Sequence, residues 1–312
     1  MSVDKNKNLD ELFVLHELQA DESEKLAIEP YSYWQSVMRE FFKKKTVIVS
    51  LIIISLLVLG AIFVPIFHTG NLDKLMLDQK FLTPNATNWF GTDDIGRDIF
   101  LRTFKGLQIS LVVALSAAVI NTFVGIIVGT IWGYFRQLDI IMIEVYNFVV
   151  NIPMMLQMFV LIFVLKGLGV GSIPSLIIGM TITGWVGTAR FIRNRIIVFN
   201  NREYNIASRT LGSGPRRIIT YNLMPQILTV VITSVSLALP GYVGTELALA
   251  YFGIGLKATD ISLGKVITLA YQHWVRFPHV LFFPVSVLTL FTVTMYLIGL
   301  ALSDAIDPKT HR

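Results

Sequence analysis

The chain has no cysteine at all and few charged residues for its length. Without cysteine, disulfides, thiolate catalysis and cysteine-ligated metal sites are excluded. Charged residues make up 15% of the 312 residues, whereas soluble domains average about a quarter. The shortfall falls in long uncharged stretches, a pattern typical of proteins that span a membrane.

Two further kinds of site are missing from the sequence. Its five histidines are scattered, with no pair at the spacing that would bind a metal from one helix, so we expect no metal site. No Gly-x-x-x-x-Gly-Lys-Ser/Thr occurs, and the only Gly-Lys pair, Gly264-Lys265, is followed by Val266. Because a phosphate cradle needs those backbone amides and that lysine, we expect no nucleotide-binding loop on this chain.

Long apolar stretches are what the sequence does contain. A helix needs about 20 apolar residues to cross the roughly 30 Å hydrocarbon core of a bilayer. Six stretches approach or exceed this length, and they predict transmembrane helices at 46–67, 106–135, 140–165, 171–189, 225–245 and 280–303. The predicted fold class is therefore an all-α polytopic membrane protein, with a transmembrane domain over 46–312 and a leader over 1–45.

The basic residues cluster beside these apolar stretches, and the net charge is +5. Inner loops of membrane proteins carry an excess of Lys and Arg, so the clusters indicate orientation rather than nucleic-acid binding. With the N-terminus inside, 17 of the 26 Lys and Arg residues fall on the inner side and 9 on the outer side. We therefore expect both termini in the cytoplasm and residues 68–105 outside.

The leader divides into two parts. Residues 1–29 are acidic and polar, and we expect them to be poorly ordered. Residues 31–45 mix aromatic with basic side chains, which favours a helix lying in the headgroup layer of the membrane. The alternative is a simple stop before the first span.

Three glycines recur at every fourth position of the predicted second span: Gly125, Gly129 and Gly133. Such a row forms a smooth stripe along which another helix backbone can approach closely. The pattern predicts a tight helix contact here but does not identify the partner helix.

The longest predicted inner loop, 190–222, has its own helical pattern. Tyr204, Ala207, Ser208 and Leu211 fall on one face of a short helix, which we expect to end at Gly212 with a positive φ. Proline is favoured in the first turn of a helix, so Gly214-Pro215 predicts the start of a second short helix, which Pro225 ends where the next span begins. Such a segment either anchors two spans in the interface or docks a cytoplasmic partner.

Two other groups of polar residues are candidates. The outer loop holds Asp93, Asp94, Arg97 and Asp98, which pair with one another or face an external protein. The third span holds Asn147, Asn151 and Gln157. These amides either line a transport path or form hydrogen bonds between helices.

The inner loop resembles the coupling loop of the permease subunits of bacterial ATP-binding-cassette importers. The family pattern is Glu-Ala-Ala, three residues, Gly, nine residues and Ile-x-Leu-Pro. The matching positions here are Ala207-Ser208, Gly212, Asn222, Met224 and Pro225. Ile206 replaces the family's Glu, but the Glu203-Tyr204 pair upstream resembles the peptide and nickel subgroup.

Four further stretches are similar to the C-type subunit of that subgroup, and they occur in the same order. They are residues 88–98, 129–139, 246–264 and 304–309. The resemblance covers most of the chain from residue 30 onward. It implies the type I importer permease fold, with six spans, an interfacial helix before them and a coupling helix on the cytoplasmic side.

What the resemblance implies about function is an importer subunit in a prokaryotic cytoplasmic membrane, translocating oligopeptides inward. It implies a homologous second permease, an extracellular substrate-binding protein, and two cytoplasmic ATPase subunits that bind ATP and Mg. This chain then holds no cofactor, metal or catalytic residue and is not an enzyme; its other contacts are peptide and lipid, not nucleic acid. Its coupling residues are those of the inner loop: Glu203, Tyr204, Ala207, Ser208, Leu211, Gly212, Pro215 and Pro225.

Two alternatives remain. Within the subgroup the cargo is an oligopeptide, a dipeptide or a nickel chelate. Outside it, an ion-coupled secondary transporter predicts paired broken helices in two inverted repeats.

Overall fold

The computed structural model describes residues 33–72, 74–257 and 260–306, and this part of the chain is helical with no strand. Its α-helices are α1 Tyr33–Lys43, α2 Lys45–Phe67, α3 Ile99–Tyr134, α4 Asp139–Asn151, α5 Met154–Gly167, α6 Ser172–Thr181, α7 Trp185–Asn200, α8 Glu203–Thr210, α9 Pro215–Arg217, α10 Met224–Tyr251, α11 Leu263–Tyr271 and α12 Pro278–Ile306. Residues 1–32, which include most of the predicted leader, lie outside the described residues.

Within the described residues, five helical segments are long and apolar enough to cross a membrane: Lys45–Phe67, Ile99–Tyr134, Ser172–Asn200, Pro215–Tyr251 and Pro278–Ile306. A sixth span results if α4 and α5 count as one broken segment, bent by 86°.

The third predicted span, 140–165, is not one continuous helix. The helix breaks at Ile152 and Pro153, because proline has no N–H to donate and disfavours helical backbone in the residue before it. Ile152 is accordingly extended, with φ −91° and ψ 126°. The Gln157 amide donates to the carbonyls of Val149 and Ile152, which stabilises the break.

Helix ends differ from the hydropathy boundaries where charged residues continue a helix. α3 begins at Ile99 rather than at 106, because Asp98 caps it by accepting from the N–H groups of Phe100 and Leu101. α7 runs on to Asn200, so the predicted loop start at 190 is wrong. Arg190 remains in the helix with its guanidinium 4.0 Å from the centre of the Tyr146 ring.

Pro225 does not end a helix, contrary to the prediction. Residues 215–251 form one continuous helical segment that contains a π-helical turn at Ile218–Leu223. In this turn the Met224 N–H donates to Ile219 O, five residues back. The wider turn lies directly before Pro225, which has no N–H to contribute to a regular ladder.

The helices pack around α3. It contacts α2, α6, α7, α10 and α11, and the α3–α7 contact is the most extensive in the described structure. α1 lies against α12, with Val37 and Phe41 buried beside Ala301 and Ala305. The remaining face of α1 is exposed, as an interfacial helix requires.

Candidate functional site

Residues 201–214, which we call the α8 loop, connect α7 to α9 and carry most of the predicted coupling residues. Gly212 has a φ of +84°, the left-handed conformation expected for it. The Ser213 N–H donates to Ser208 O at 3.0 Å, and the Gly212 N–H donates to Arg209 O at 2.9 Å. These two bonds form a Schellman motif, which ends α8 and reverses the chain toward Pro215.

The base of the α8 loop is fixed by an asparagine pair that sequence reasoning missed. Asn205 is fully buried, and its amide donates to Phe199 O, at the end of α7, at 2.9 Å. Its side-chain oxygen accepts from the Asn222 amide at 2.8 Å. Asn222, a departure from the family pattern, therefore links α8 to the π-helical turn that leads into α10.

The outer face of the α8 loop is exposed. The Tyr204 hydroxyl accepts from Gln226 of α10 at 2.6 Å, which ties one side of α8 to the bundle. Ala207 is exposed and Leu211 is 86% exposed, so the predicted apolar face does not pack as a unit against the bundle. An apolar face left open on a short helix fits a contact with another protein.

A cavity of about 1190 Å³ lies beside the α8 loop. Arg216 and Arg217 line one part of it, and Leu211 and Tyr221 supply exposed apolar surface. The remaining lining residues are Ser208, Ser213, Gly214, Thr220 and Asn222. The cavity thus combines positive charge with apolar surface at the end of the bundle where α7 and α10 meet.

The glycine row lies against α7. A Cβ built on Gly125 would lie 2.6 Å from Thr188 Cγ2, and one on Gly129 would lie 2.4 Å from the carbonyl oxygen of Ala189. A Cβ on Gly133 would lie 2.7 Å from Ile196 Cβ. Because no side chain fits there, α3 and α7 are in direct backbone contact along this seam.

The charged side chains of the outer loop pair mainly with residues of this chain. Arg97 Nε lies 2.6 Å from Asp93 Oδ2, and Arg102 Nε lies 3.7 Å from the same oxygen. Asp98 is fully buried, caps α3 and contacts His68 Nε2 at 2.8 Å. The prediction that Asp98 faces an external protein is therefore wrong, and Asp94 is the most exposed acid of the group.

The predicted pathway amides are not brought together on one face. Asn147 and Asn151 are exposed on α4, whereas Gln157 lies on α5 and donates back across the break to the carbonyls of Val149 and Ile152. The 86° bend separates the two groups. That these amides line a transport path stays a prediction.

A buried carboxyl group was missed by sequence reasoning. Glu246 on α10 is 1% exposed. Its oxygens accept from the hydroxyls of Ser110 on α3, at 2.8 Å, and Ser262 at the start of α11, at 2.5 Å. An acidic residue directly after the predicted fifth span was the available signal, but its partners are distant in the sequence and have no motif.

Among the described residues, no group of three or more His, Cys, Asp or Glu side chains could hold a metal ion. The last resembling stretch is only partly described: Asp304 pairs with Lys44 at 2.7 Å, and residues 307–309 lie outside the described residues.

Comparison with known proteins supports one family. Residues 122–312 match the model of the binding-protein-dependent transport system inner membrane component, and residues 32–84 match the N-terminal transmembrane domain of oligopeptide transport permease C. The oligopeptide transport system permease protein AmiD of Streptococcus pneumoniae is 36% identical, over 93% of this chain and 94% of that protein. The dipeptide transport system permease protein DppC of Bacillus subtilis is 34% identical, over 98% and 95% respectively.

A solved structure gives the same fold. A chain of the MetNI methionine ABC transporter, in an inward-facing conformation, superposes with a TM-score of 0.53 at 20% identity. The match covers 66% of this chain and 94% of that one. The predicted fold class is confirmed, and the chain belongs to the family of binding-protein-dependent transport system inner membrane components.

Proposed function

We propose that this chain is a transmembrane subunit through which an ATP-driven importer moves oligopeptides into the cytoplasm. The observation that carries the proposal is the α8 loop, with an exposed outer face and a buried, hydrogen-bonded base. The sequence has no phosphate-binding loop, so force must enter from ATP and Mg bound on other subunits. The chain itself performs no bond chemistry.

The contacts of the α8 loop give a route for that force. A displacement of α8 acts on α7 through Phe199 and on α10 through Asn222. α7 is in backbone contact with α3 along the glycine row. Since packed helices move as rigid elements, a push on α8 shifts α3, α7 and the start of α10 together.

We propose that the path for cargo runs along a cavity of about 260 Å³ between α3, α7 and α10. Its lining residues are Thr122, Gly187, Thr188, Phe191, Val231, Ser234, Val235, Ala238 and Tyr242. The lining carries hydroxyls but no charge, and the Tyr242 hydroxyl accepts from Asn121 at 3.1 Å. Hydroxyls can exchange hydrogen bonds with peptide backbone without selecting particular side chains.

The cargo assignment rests on the relatives, two of which are named for oligopeptide and dipeptide transport. A dipeptide or a nickel chelate remains the second candidate within this function. The cavity lining has no carboxylate, imidazole or thiolate that would bind a bare metal ion.

The proposed assembly places this chain in a prokaryotic cytoplasmic membrane beside a homologous second permease. Two cytoplasmic ATPase subunits lie beneath the membrane, one of them against the α8 loop, and an external substrate-binding protein delivers the peptide. Exposed residues such as Asp94 and Trp89 belong to the outer loop that such a protein would meet. The 17 to 9 division of basic residues supports cytoplasmic termini.

Orientation can be read with single cysteines, because the chain has none of its own. We expect an impermeant thiol reagent added outside to label Asn85→Cys and not Asn201→Cys. Both positions are exposed, so the difference reports sidedness. The reverse labelling pattern would contradict the orientation.

The function is tested in proteoliposomes containing this chain and the proposed partner subunits. We expect uptake of a labelled oligopeptide to require ATP and to persist when ionophores remove ion gradients. Inhibition of this uptake by unlabelled dipeptides or nickel chelates then shows which cargo the importer prefers. Uptake that needs an ion gradient and not ATP would contradict the proposal.

The path is tested by narrowing the cavity. Ala238→Phe adds a ring to the cavity wall, whereas Ile232→Phe places the same ring at an exposed position on the same helix outside the lining. We expect Ala238→Phe to lower uptake at normal ATPase coupling and Ile232→Phe to leave uptake unchanged. Equal uptake by the two variants would show that this cavity wall does not line the transport path.

A further inference from the structure

A groove of about 690 Å³ lies at the same end of the bundle as the α8 loop, between the ends of four helices. α1 contributes Trp34, α7 contributes Phe199, and α12 contributes Ile306. The rest of the lining is Arg202, Pro225, Gln226, Leu228, Thr229 and Val230. The groove is separate from the path cavity and from the cavity beside the α8 loop, with which it shares no residue.

The groove is mainly apolar with a cation at its edge. Leu228 is 43% exposed and Trp34 is 48% exposed. Arg202 is exposed, and its guanidinium lies 5.7 Å from the centre of the Phe199 ring. Arg202 takes part in none of the ion pairs of the described residues.

The chain itself leads directly to this groove. Trp34, which lines it, is the second residue of α1, and 32 residues of the chain precede that helix. Those residues include eight Asp or Glu against three Lys. The stretch nearest the groove carries Leu26, Ile28 and Glu29, two apolar side chains and one acid.

The length of the chain before α1 and its charge both suit the groove. Position 26 lies seven residues before the start of α1, and an extended chain of that length spans at most about 25 Å. Apolar side chains gain by leaving water for the groove, and a carboxylate is attracted to the exposed guanidinium of Arg202. A phospholipid would also fill the apolar wall and set its phosphate beside Arg202, but the leader is attached to α1 at the groove, which gives it a high effective concentration there.

We infer that residues 26–31 of the chain's own leader occupy this groove, with Leu26 and Ile28 against the apolar wall and Glu29 paired with Arg202. The leader is thereby held beside Arg202, three residues before the Asn205 that fixes α8. The inference concerns the chain's own fold and does not depend on the transported cargo.

The test uses pairs of cysteines in the full chain, assembled with its partner subunits and carrying a protease site inserted at the exposed residue Ala86. Ile28→Cys is combined with Leu228→Cys inside the groove or with Val198→Cys outside it. Val198 is a matched control because it is 59% exposed on α7 near the same end. We expect mild oxidation to link the two protease fragments in the groove pair and not in the control pair.

A charge swap gives a second readout. Arg202→Glu should slow formation of the groove disulfide by roughly two- to fivefold, as for loss of an exposed ion pair. Adding Glu29→Lys should restore the rate. An unchanged rate of disulfide formation in Arg202→Glu would show that Glu29 and Arg202 do not form an ion pair.

Three other outcomes would overturn the inference. Equal cross-linking of groove and control pairs would show that the leader does not settle in the groove. A covalent dimer of intact chains would assign the groove to a second copy. Absence of the groove disulfide, with a phospholipid retained by the complex and lost on Leu228→Trp, would assign it to lipid.

Discussion

Glycine serves two different purposes in the α3–α7 seam and in the α8 loop. A side chain on Gly129 would meet the Ala189 backbone at 2.4 Å, although its own backbone is ordinary helix. A side chain on Gly212 would meet no atom within 4 Å, but the residue has a φ of +84°. The seam needs glycine for close packing, whereas the loop needs it for a backbone conformation that other residues adopt at a cost.

This difference separates the part of the molecule that holds the helices together from the part that transmits a push. Substitutions in the seam should reduce the stability of the folded subunit. Substitutions in the α8 loop should leave the folded subunit intact and change what it does. We expect the loss of stability to be largest in the seam and smallest in the α8 loop.

Gly129→Val should have the largest effect. The new side chain meets a helix backbone that cannot rotate away, so we expect a loss of about 3 kcal/mol or more, the upper end of overpacking penalties. Membrane abundance and the thermal midpoint of the purified subunit report it. Gly187→Val on α7 is the control, since a Cβ there has open space; equal abundance of the two variants would contradict the packing role.

Glu246→Ala should have the next largest effect. The hydroxyls of Ser110 and Ser262 would lose their buried acceptor, at about 1–3 kcal/mol for each stranded group. Glu246→Gln keeps one acceptor oxygen and should lose less. The thermal midpoints of both variants test this, and a Gln variant as unstable as the Ala variant would show that the charge, not the acceptor, matters.

Asn205→Ala should have a smaller, local effect. Removing the amide leaves the Asn222 amide without its acceptor, whereas Phe199 O keeps the backbone N–H of Arg202, so we expect α8 to loosen by about 1 kcal/mol. Hydrogen exchange should accelerate in residues 203–210 and stay unchanged in α3. Asn201→Ala, at an exposed position in the same loop, is the control, and protection of α8 equal to the wild type would remove the asparagine pair from the coupling route.

Much of the fold could be read from hydropathy, because the bilayer demands long apolar helices. The α4–α5 break could not be read that way, since the residues around Pro153 remain apolar and hydropathy does not register backbone geometry. The proline itself was the available signal. The extension of α7 past Arg190 was missed because the onset of charge marks the membrane surface and not the end of a helix.

The candidate site also has features that the sequence predicts and features that it does not. The Schellman turn at Gly212 followed from local chemistry, a helical pattern ending at a glycine. The contacts of Asn205 and Glu246 did not, because their partners depend on how distant helices pack. Asp98 was read as a surface charge, although an acid directly before a long helix is also the usual sign of an N-cap.

The central claim is that the α8 loop transmits force only when Gly212 keeps its left-handed backbone. Gly212→Val and Gly214→Val test it most directly, because a Cβ at either position has open space and only Gly212 has a positive φ; Gly214 has a φ of −71°. The measurement is ATP-dependent peptide uptake by assembled complexes, normalised to the amount of this subunit in the membrane. We predict normal amounts of both variants, uptake lost in Gly212→Val and uptake retained in Gly214→Val. Full uptake by Gly212→Val at normal abundance would contradict the claim and reduce the loop to an anchor.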